Sequence, residues 1–224
     1  VADRGTILGG VYTGKAEVLK EEGYRSAITK RLTRERLTLT KLGLTGDEQA
    51  DQRAHGGPDR ALHQYPPQHY KVWQAEFPGD AHKFEPGTFG ENISIPGWSE
   101  ESVCIGDVFK IGTAIVAVSQ PRIPCSKLNH RFGIPTLVKR VHDTGLTGWF
   151  FRVLAPGDIQ LGDPYSRIRR DPSSLTLKAV WDIYLVQRPD LDLLRAARDH
   201  PALAATWKRL LDSRLDRLAR KPMI

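Results

Sequence analysis

The chain has 224 residues, 40% hydrophobic and 26% charged, an ordinary balance for a globular protein with a real core and room for one large domain or a domain with a smaller appendage. No apolar run approaches the roughly 18 residues of a membrane helix, and the opening VADRGTILGG lacks a basic-then-apolar leader pattern, so the expectation is a cytoplasmic protein with no membrane partner. Two cysteines, Cys104 and Cys125, are too few for a disulfide framework, and the net charge of +7 gathers late in the chain.

From Thr6 to about Leu44 the pattern is that of strands. Leu8 to Val18 alternates, and so does Ile28 to Leu44, with a turn at Glu22-Gly23-Tyr24 and then the basic-hydroxyl pair Arg25-Ser26. Gly43, Gly46 and Asp47 mark a second turn before the polar stretch Glu48 to His55, and Gly56-Gly57-Pro58-Asp59 is a strong breaker. A helix over His69 to Phe77 follows, ended by Pro78-Gly79, and Gly87 to Ile93 reads as a glycine-punctuated strand. Asp107 to Ser119 is a hairpin with Gly112-Thr113 at its turn.

The alternating stretch then runs into Ser119-Gln120-Pro121-Arg122-Ile123-Pro124-Cys125. Two prolines fix two φ angles and remove two backbone donors, so the loop is stiff and cannot stay in a ladder. A rigid loop that presents a thiol near an arginine suits a site better than a core strand. Cys104, within Ser102-Val103-Cys104-Ile105, reads as core. Lys127 to Val141 fits two short helices broken at Gly133 and Pro135; Trp149 to Leu154 is a strand, Gly157-Asp158 a turn, and Ile159 to Ile168 the last strand. After Asp171-Pro172-Ser173-Ser174 the period changes. Leu175 to Leu185, Leu191 to Arg198 and Ala202 to Arg220 form three amphipathic helices. Many short strands followed by helices predict a mainly β fold, a β-barrel over residues 1–168 with peripheral helices, and a three-helix domain over 169–224.

Among residues able to carry chemistry, Cys125 leads, because a thiolate is a soft metal ligand and a nearby cation such as Arg122 lowers its pKa. No C-x-x-C or H-E-x-x-H pattern occurs, so a zinc site of protein ligands alone is poorly supported, and further ligands to a metal on Cys125 arrive with a cofactor. Arg25-Ser26 pairs a cation with a hydroxyl, a combination suited to phosphate. In the polar stretch, Asp47, Gln49, His55 and Asp59 offer hydrogen bonds and proton transfer beside glycines that permit close approach. Asn92 meets the same cleft.

The order Arg25-Ser26, then LGLTGDEQAD with HGGPDRAL, then GTFGENI, then VSQPRIPC, then TGWFFRVLAPG, resembles a MOSC domain, the molybdenum-cofactor sulfurase C-terminal type, over roughly residues 6–168. It is most similar to the YiiM-type 6-N-hydroxylaminopurine resistance group, which the three-helix tail also fits. The resemblance implies a MOSC β-barrel that binds the molybdenum cofactor (molybdopterin) and reduces N-hydroxylated compounds such as base analogues to amines. It implies Cys125 as the thiolate on molybdenum and the catalytic centre, with His55 or Asp59 as proton donors. Cofactor contacts would come from Arg25, Ser26, Asp47, Gln49, Arg53, Asn92, Gln120 and Arg122. Where related proteins carry Gly-Asp-Arg, this chain has Gly46-Asp47-Glu48, leaving Arg53 or Arg122 to replace the second phosphate arginine. No flavin or haem motif is present, so a separate electron-donating reductase is expected.

Two other readings compete. Cys125 as a persulfide would make the chain a sulfur carrier. The tail, with about 13 Lys and Arg against 7 Asp from Ser166 onward, would make it a nucleic-acid binder. Against the latter, the tail's charges interleave with apolar residues as on a solvated helix face. Its stripe of Trp181, Tyr184 and Trp207 suits packing on the barrel or against a second subunit in a homodimer.

Overall fold

The computed structural model of the chain describes residues 4–6, 10–18, 25–50 and 56–220. In chain order the strands begin with β1 (Arg4–Thr6), β2 (Val11–Thr13), β3 (Glu17–Val18), β4 (Arg25–Ser26), β5 (Arg31–Thr33), β6 (Leu37–Thr40) and β7 (Gly43–Leu44). After a 3-10 turn at Pro58–Arg60 come β8 (Leu62–Gln64), α1 (Gln68–Glu76) and a second 3-10 segment, Pro78–Lys83. The hairpin β9 (Val108–Ile111) and β10 (Ala114–Pro121) precedes α2 (Lys127–Phe132), α3 (Leu137–Thr144), β11 (Trp149–Ala155), β12 (Gly157–Ile159) and β13 (Pro164–Arg169). Helices α4 (Leu177–Leu185), α5 (Leu191–Asp199) and α6 (Ala205–Arg220) follow.

The main sheet has six strands in the order β1-β13-β9-β10-β11-β8, every pair antiparallel. Smaller pairings are β12-β6-β7, β2-β5 and β3-β4. Ile93 bridges both Val11 of β2 and Gln64 of β8, so the β2-β5 ribbon lies along the β8 edge of the large sheet. The sequence predicts a barrel; among the described residues the pairings form an open sheet and do not close into a ring.

Two local expectations are corrected. Gly87 to Ile93 is a chain of turns rather than a strand, with only Ile93 bridged. Gly87 and Gly90 sit at φ of 97° and 80°, and the Glu91 carboxylate accepts the Gly87 and Phe89 N–H groups. Side-chain bonds to the backbone thereby replace a ladder. Gly157-Asp158, read as a turn, belongs to β12 and pairs with Thr38 and Leu39 of β6.

The helices form where apolar spacing and caps coincide. Thr176 caps α4 by accepting the Ala179 N–H, and Asp190 caps α5 by accepting from Asp192 and Leu193. Their buried faces do not make a separate core. Trp181, Leu194, Trp207 and Leu211 share one hydrophobic cluster with Phe109, Val116, Val118 and Phe151 of the sheet. A second cluster, with Tyr65, Tyr70, Trp73, Phe84, Phe89 and Phe132, lies beneath α1 and α2.

Phe109→Ala in the sheet and Leu211→Ala in α6 each delete a fully buried side chain, at a cost of about 3–5 and 2–5 kcal/mol. Because both sit in one cluster, each is expected to lower a single thermal transition seen alike in far-UV and near-UV circular dichroism. Two separated transitions in either variant would show that α4 to α6 unfold apart from the sheet.

Candidate functional site

The buried run of β10 pairs with β11 until Val118 faces Phe151; Gln120 then faces Phe150, so Ser119 is an extra, bulged residue. Its hydroxyl lies 2.6 Å from the Asp59 carbonyl and 2.9 Å from that of Phe150, sharing one proton between them. The last rung is the Arg122 N–H donating to the Gly148 carbonyl at 3.0 Å. Beyond it the chain leaves the sheet through Ile123-Pro124 and turns into α2, where Leu128 N–H bonds the Cys125 carbonyl. The proline loop therefore delivers Arg122 and Cys125 together at the end of a central strand.

Both line a cavity of about 100 Å³. Ser26, Ile28 and Lys30 form one wall, His63, Phe89, Gly90 and Asn92 another, and Arg60, Lys127 and Phe150 complete it. Residues Asp47 to Ala50 separate it from a wider cleft of about 430 Å³ whose walls include Ala16, Arg25, Thr40 and Leu42. Cys125 is half-buried, whereas Cys104 is buried and its thiol is pushed up by burial. Among the described residues no three His, Cys, Asp or Glu side chains are grouped to hold a metal.

Asp47 organises the wall. Its carboxylate accepts the Gly14 N–H at 2.8 Å, the Asn92 side-chain amide at 2.8 Å, and Lys30 Nζ at 2.6 and 2.5 Å. Lys30 and Asp47 are thus a buried ion pair; burial lowers the Lys30 pKa, and Asp47 opposes that shift. Both side-chain amide hydrogens of Asn92 are used, since the group also donates to the Tyr12 carbonyl, and its Oδ1 accepts the His63 N–H. On the opposite side Glu91 accepts from Tyr70 and two backbone amides, and burial raises its pKa.

Arg122 is different. The residue is 8% exposed and its Nη1 has no hydrogen-bond partner. A buried guanidinium nitrogen at a cavity wall is a donor suited to an anionic or carbonyl oxygen.

The structure brings together Ser26, Asp47, Gln49, Asn92, Arg122 and Cys125 around the inner cavity, with Arg25 and again Gln49 on the outer cleft. Gln120 is buried behind the loop with Oε1 unpartnered and does not line the cavity. Asp59 is also off the lining: its carboxylate pairs with Arg152 at 2.8 Å, while its neighbour Arg60 reaches the cavity. Arg53 and His55 lie outside the described residues. Lys30, Arg60, His63 and Lys127, which sequence reading did not single out, all line the cavity. The alternation that carries Ser26 to Ile28 to Lys30 is the one signal that was available for Lys30.

His63 is 3% exposed, packs on Phe150 at 4.8 Å between ring centroids, and has an unpartnered Nε2. Burial first, then the charges of Arg122 and Lys30, push its pKa well below 6.5, so the imidazole is neutral. The unfolded chain takes up that proton near pH 6.5 and the folded chain only far lower, so stability falls as pH drops through 6.5. In denaturant titrations between pH 7.5 and 5.5, His63→Gln is expected to lose less stability than wild type, by on the order of 1 kcal/mol. Equal losses would mean that His63 titrates normally in the folded state.

The MOSC domain description matches residues 51–166, and the YiiM-like, 3-alpha helix domain description matches residues 175–218. Protein YiiM of Escherichia coli (strain K12) is 41% identical over 204 residues, covering 91% of this chain and 90% of YiiM. The crystal structure of YiiM from Escherichia coli superposes with a TM-score of 0.78 at 35% identity, over 96% of this chain and 94% of that one. A protein named Reductase from Gibberella moniliformis (strain M3125 / FGSC 7600) is 39% identical over 177 residues, which make up 79% of this chain and 31% of the fungal protein. With the thiol-bearing loop, the glycine-turned Glu91 segment and the helical tail all in place, the chain belongs to the MOSC-domain family, in its YiiM-type group.

Proposed function

We propose that this chain binds the molybdenum cofactor at the inner cavity and the adjoining cleft and reduces N-hydroxylated compounds, base analogues among them, to amines. The observation that carries the reading is one cavity wall holding a half-buried thiol together with a buried guanidinium whose Nη1 has no partner. That donor set fits a phosphorylated pterin with a metal that accepts a soft thiolate. Cys125 would hold the metal, Arg122 and Arg25 the anionic groups, and Ser26, Gln49 and Lys127 further polar atoms. Asp47 and Asn92 act one step back, holding Lys30 and the wall in position. When bound, the cofactor supplies a redox centre able to take the oxygen atom from an N–OH group.

The chain's own residues set the conditions for that exchange. Phe89 and Phe150 give the cavity apolar lining, and a less polar surrounding strengthens the charges beside it. Lys30 Nζ holds a proton against Asp47, and burial loosens it, so this ammonium is the acid that the described wall offers to a departing oxygen. His63, neutral, accepts or donates a hydrogen bond without adding charge. Electrons come from a separate reductase; in the fungal relative named Reductase the matched part is under a third of the protein, which is consistent with redox work shared with other segments.

Wild type, Cys125→Ser and Arg122→Gln are to be purified from a host that makes the cofactor and from one that does not. Molybdenum per chain is measured by elemental mass spectrometry, and reduction of an N-hydroxylated base with an added flavin reductase and NADH is followed. Molybdenum and activity are expected in wild type from the competent host and absent from Cys125→Ser, with Arg122→Gln retaining cofactor about 10- to 100-fold more weakly. Molybdenum in Cys125→Ser at wild-type level overturns the thiolate assignment. Absence of molybdenum throughout, with a mass increase of one sulfur atom on Cys125, moves the assignment to sulfur transfer.

A further inference from the structure

We propose that the C-terminal helical region positions the loop that carries Arg122 and Cys125, and that Trp207 is the positioning residue. The argument starts with the hydrogen bonds of β10. Along Ala114 to Ala117 its free side is paired with β9, and at Val118 the bonds pass to Asp107 and Gly106. There β9 has ended, while β10 runs on to Pro121 with carbonyls at Ser119 and Pro121 still to be satisfied. The helical region supplies both partners. The Ala204 N–H donates to the Ser119 carbonyl at 2.9 Å, and Trp207 Nε1 donates to the Pro121 carbonyl at 2.9 Å. The start of α6 therefore replaces a neighbouring strand over the last residues before the loop.

The Pro121–Arg122 peptide is held at both ends. Its carbonyl accepts from Trp207 and its N–H donates to the Gly148 carbonyl at 3.0 Å on β11. A planar peptide gripped on both sides cannot rotate, and the direction in which Arg122 enters the cavity follows from that plane. Trp207 is itself immobile, fully buried and packed against Trp181 and Tyr184 at 5.6 and 5.3 Å between ring centroids. Trp181 is the natural control: it is buried in the same cluster, but its indole N–H donates to the His142 carbonyl, away from the loop.

The inference concerns the loop read above as the site, and its test needs neither cofactor nor activity. Trp207→Phe and Trp181→Phe each remove one indole donor and leave a ring in place. In the full-length, cofactor-free protein, the alkylation rate of Cys125 by iodoacetamide and hydrogen exchange over residues 119–128 are measured with the melting temperature. Both variants are expected to melt lower. Only Trp207→Phe should speed Cys125 alkylation and loop exchange, by about five-fold, the change in local opening that one net hydrogen bond confers. Equal behaviour of the two variants, or an unchanged loop in Trp207→Phe, overturns the proposal. Should Trp207→Phe fail to fold, wild type still decides: the Ala204 and Arg122 amides should exchange at matching rates, and a protected Arg122 beside a freely exchanging Ala204 overturns it. Missing molybdenum in every sample would defeat the functional reading and leave this result untouched.

Discussion

The peptide group between Pro121 and Arg122 must be buried, and one of its neighbours cannot donate a hydrogen bond. A buried carbonyl without a partner costs about 1–3 kcal/mol, so a strand that leaves its sheet through prolines needs partners from elsewhere. Here each successive carbonyl on the free side of β10 is met by a different part of the chain: β9, then Gly106, then the start of α6. On the other side the bulge at Ser119 turns one hydroxyl toward the Pro58–Arg60 turn and β11. Sheet, turn and tail converge on the loop for this reason, and their apolar side chains merge into one cluster as a consequence.

The electrostatics follow the same logic of completion. Three buried ionisable groups are fully engaged: at the cavity Lys30 and Asp47 satisfy each other with help from Gly14 and Asn92, and next to its wall Glu91 takes three donors. Asp47 thereby ties together the β2–β3 connection, the segment before β5 and the Glu91 turn, three stretches far apart in sequence. Arg122 stands apart, with a buried nitrogen left over. Burying a cation without completing its hydrogen bonds lowers stability, so the unpaired nitrogen is a cost that the apolar packing around the loop has to offset.

Much of this was readable from residue order. The tail helices, the β9–β10 hairpin, the short helix pair and the thiol-bearing loop follow from period, caps and prolines, which act locally. The cavity wall was less readable because its members are set by long-range pairing. Lys30 is informative only once Asp47 is known to lie beside it, and His63 only once β8 is placed against β11. Asp59 stood out as a carboxylate in a glycine-rich stretch, yet its side chain turns to Arg152 and its neighbour Arg60 enters the cavity. One residue of register exchanges the two, and composition carries no information about which side faces inward. The Gly87 to Ile93 segment misled for a related reason: it reads as a glycine-punctuated strand, but Glu91 draws the Gly87 and Phe89 amides to its own side chain.

The helical tail combines two faces with separate work. On its outer side Lys178 pairs with Asp182, Arg195 with Asp192, and Arg198 with Asp199 and Asp212. Exposed pairs of this kind contribute little to stability, so they do not hold the tail in place. They do, however, neutralise part of the basic excess locally, which weakens the case for that excess as a nucleic-acid grip. Attachment comes from the inner side, where Trp181, Leu194, Trp207 and Leu211 are buried against the sheet. The Ala204 amide and the Trp207 indole, the two groups that meet the C-terminal end of β10, belong to that same side. Shape and hydrogen bonding therefore select the same docking of the helices, and a tail that slid along the sheet to keep only its apolar contacts would strand the Ser119 and Pro121 carbonyls. That dependence couples the order of the thiol loop to the seating of α6 through atoms that touch neither the cavity nor any charge.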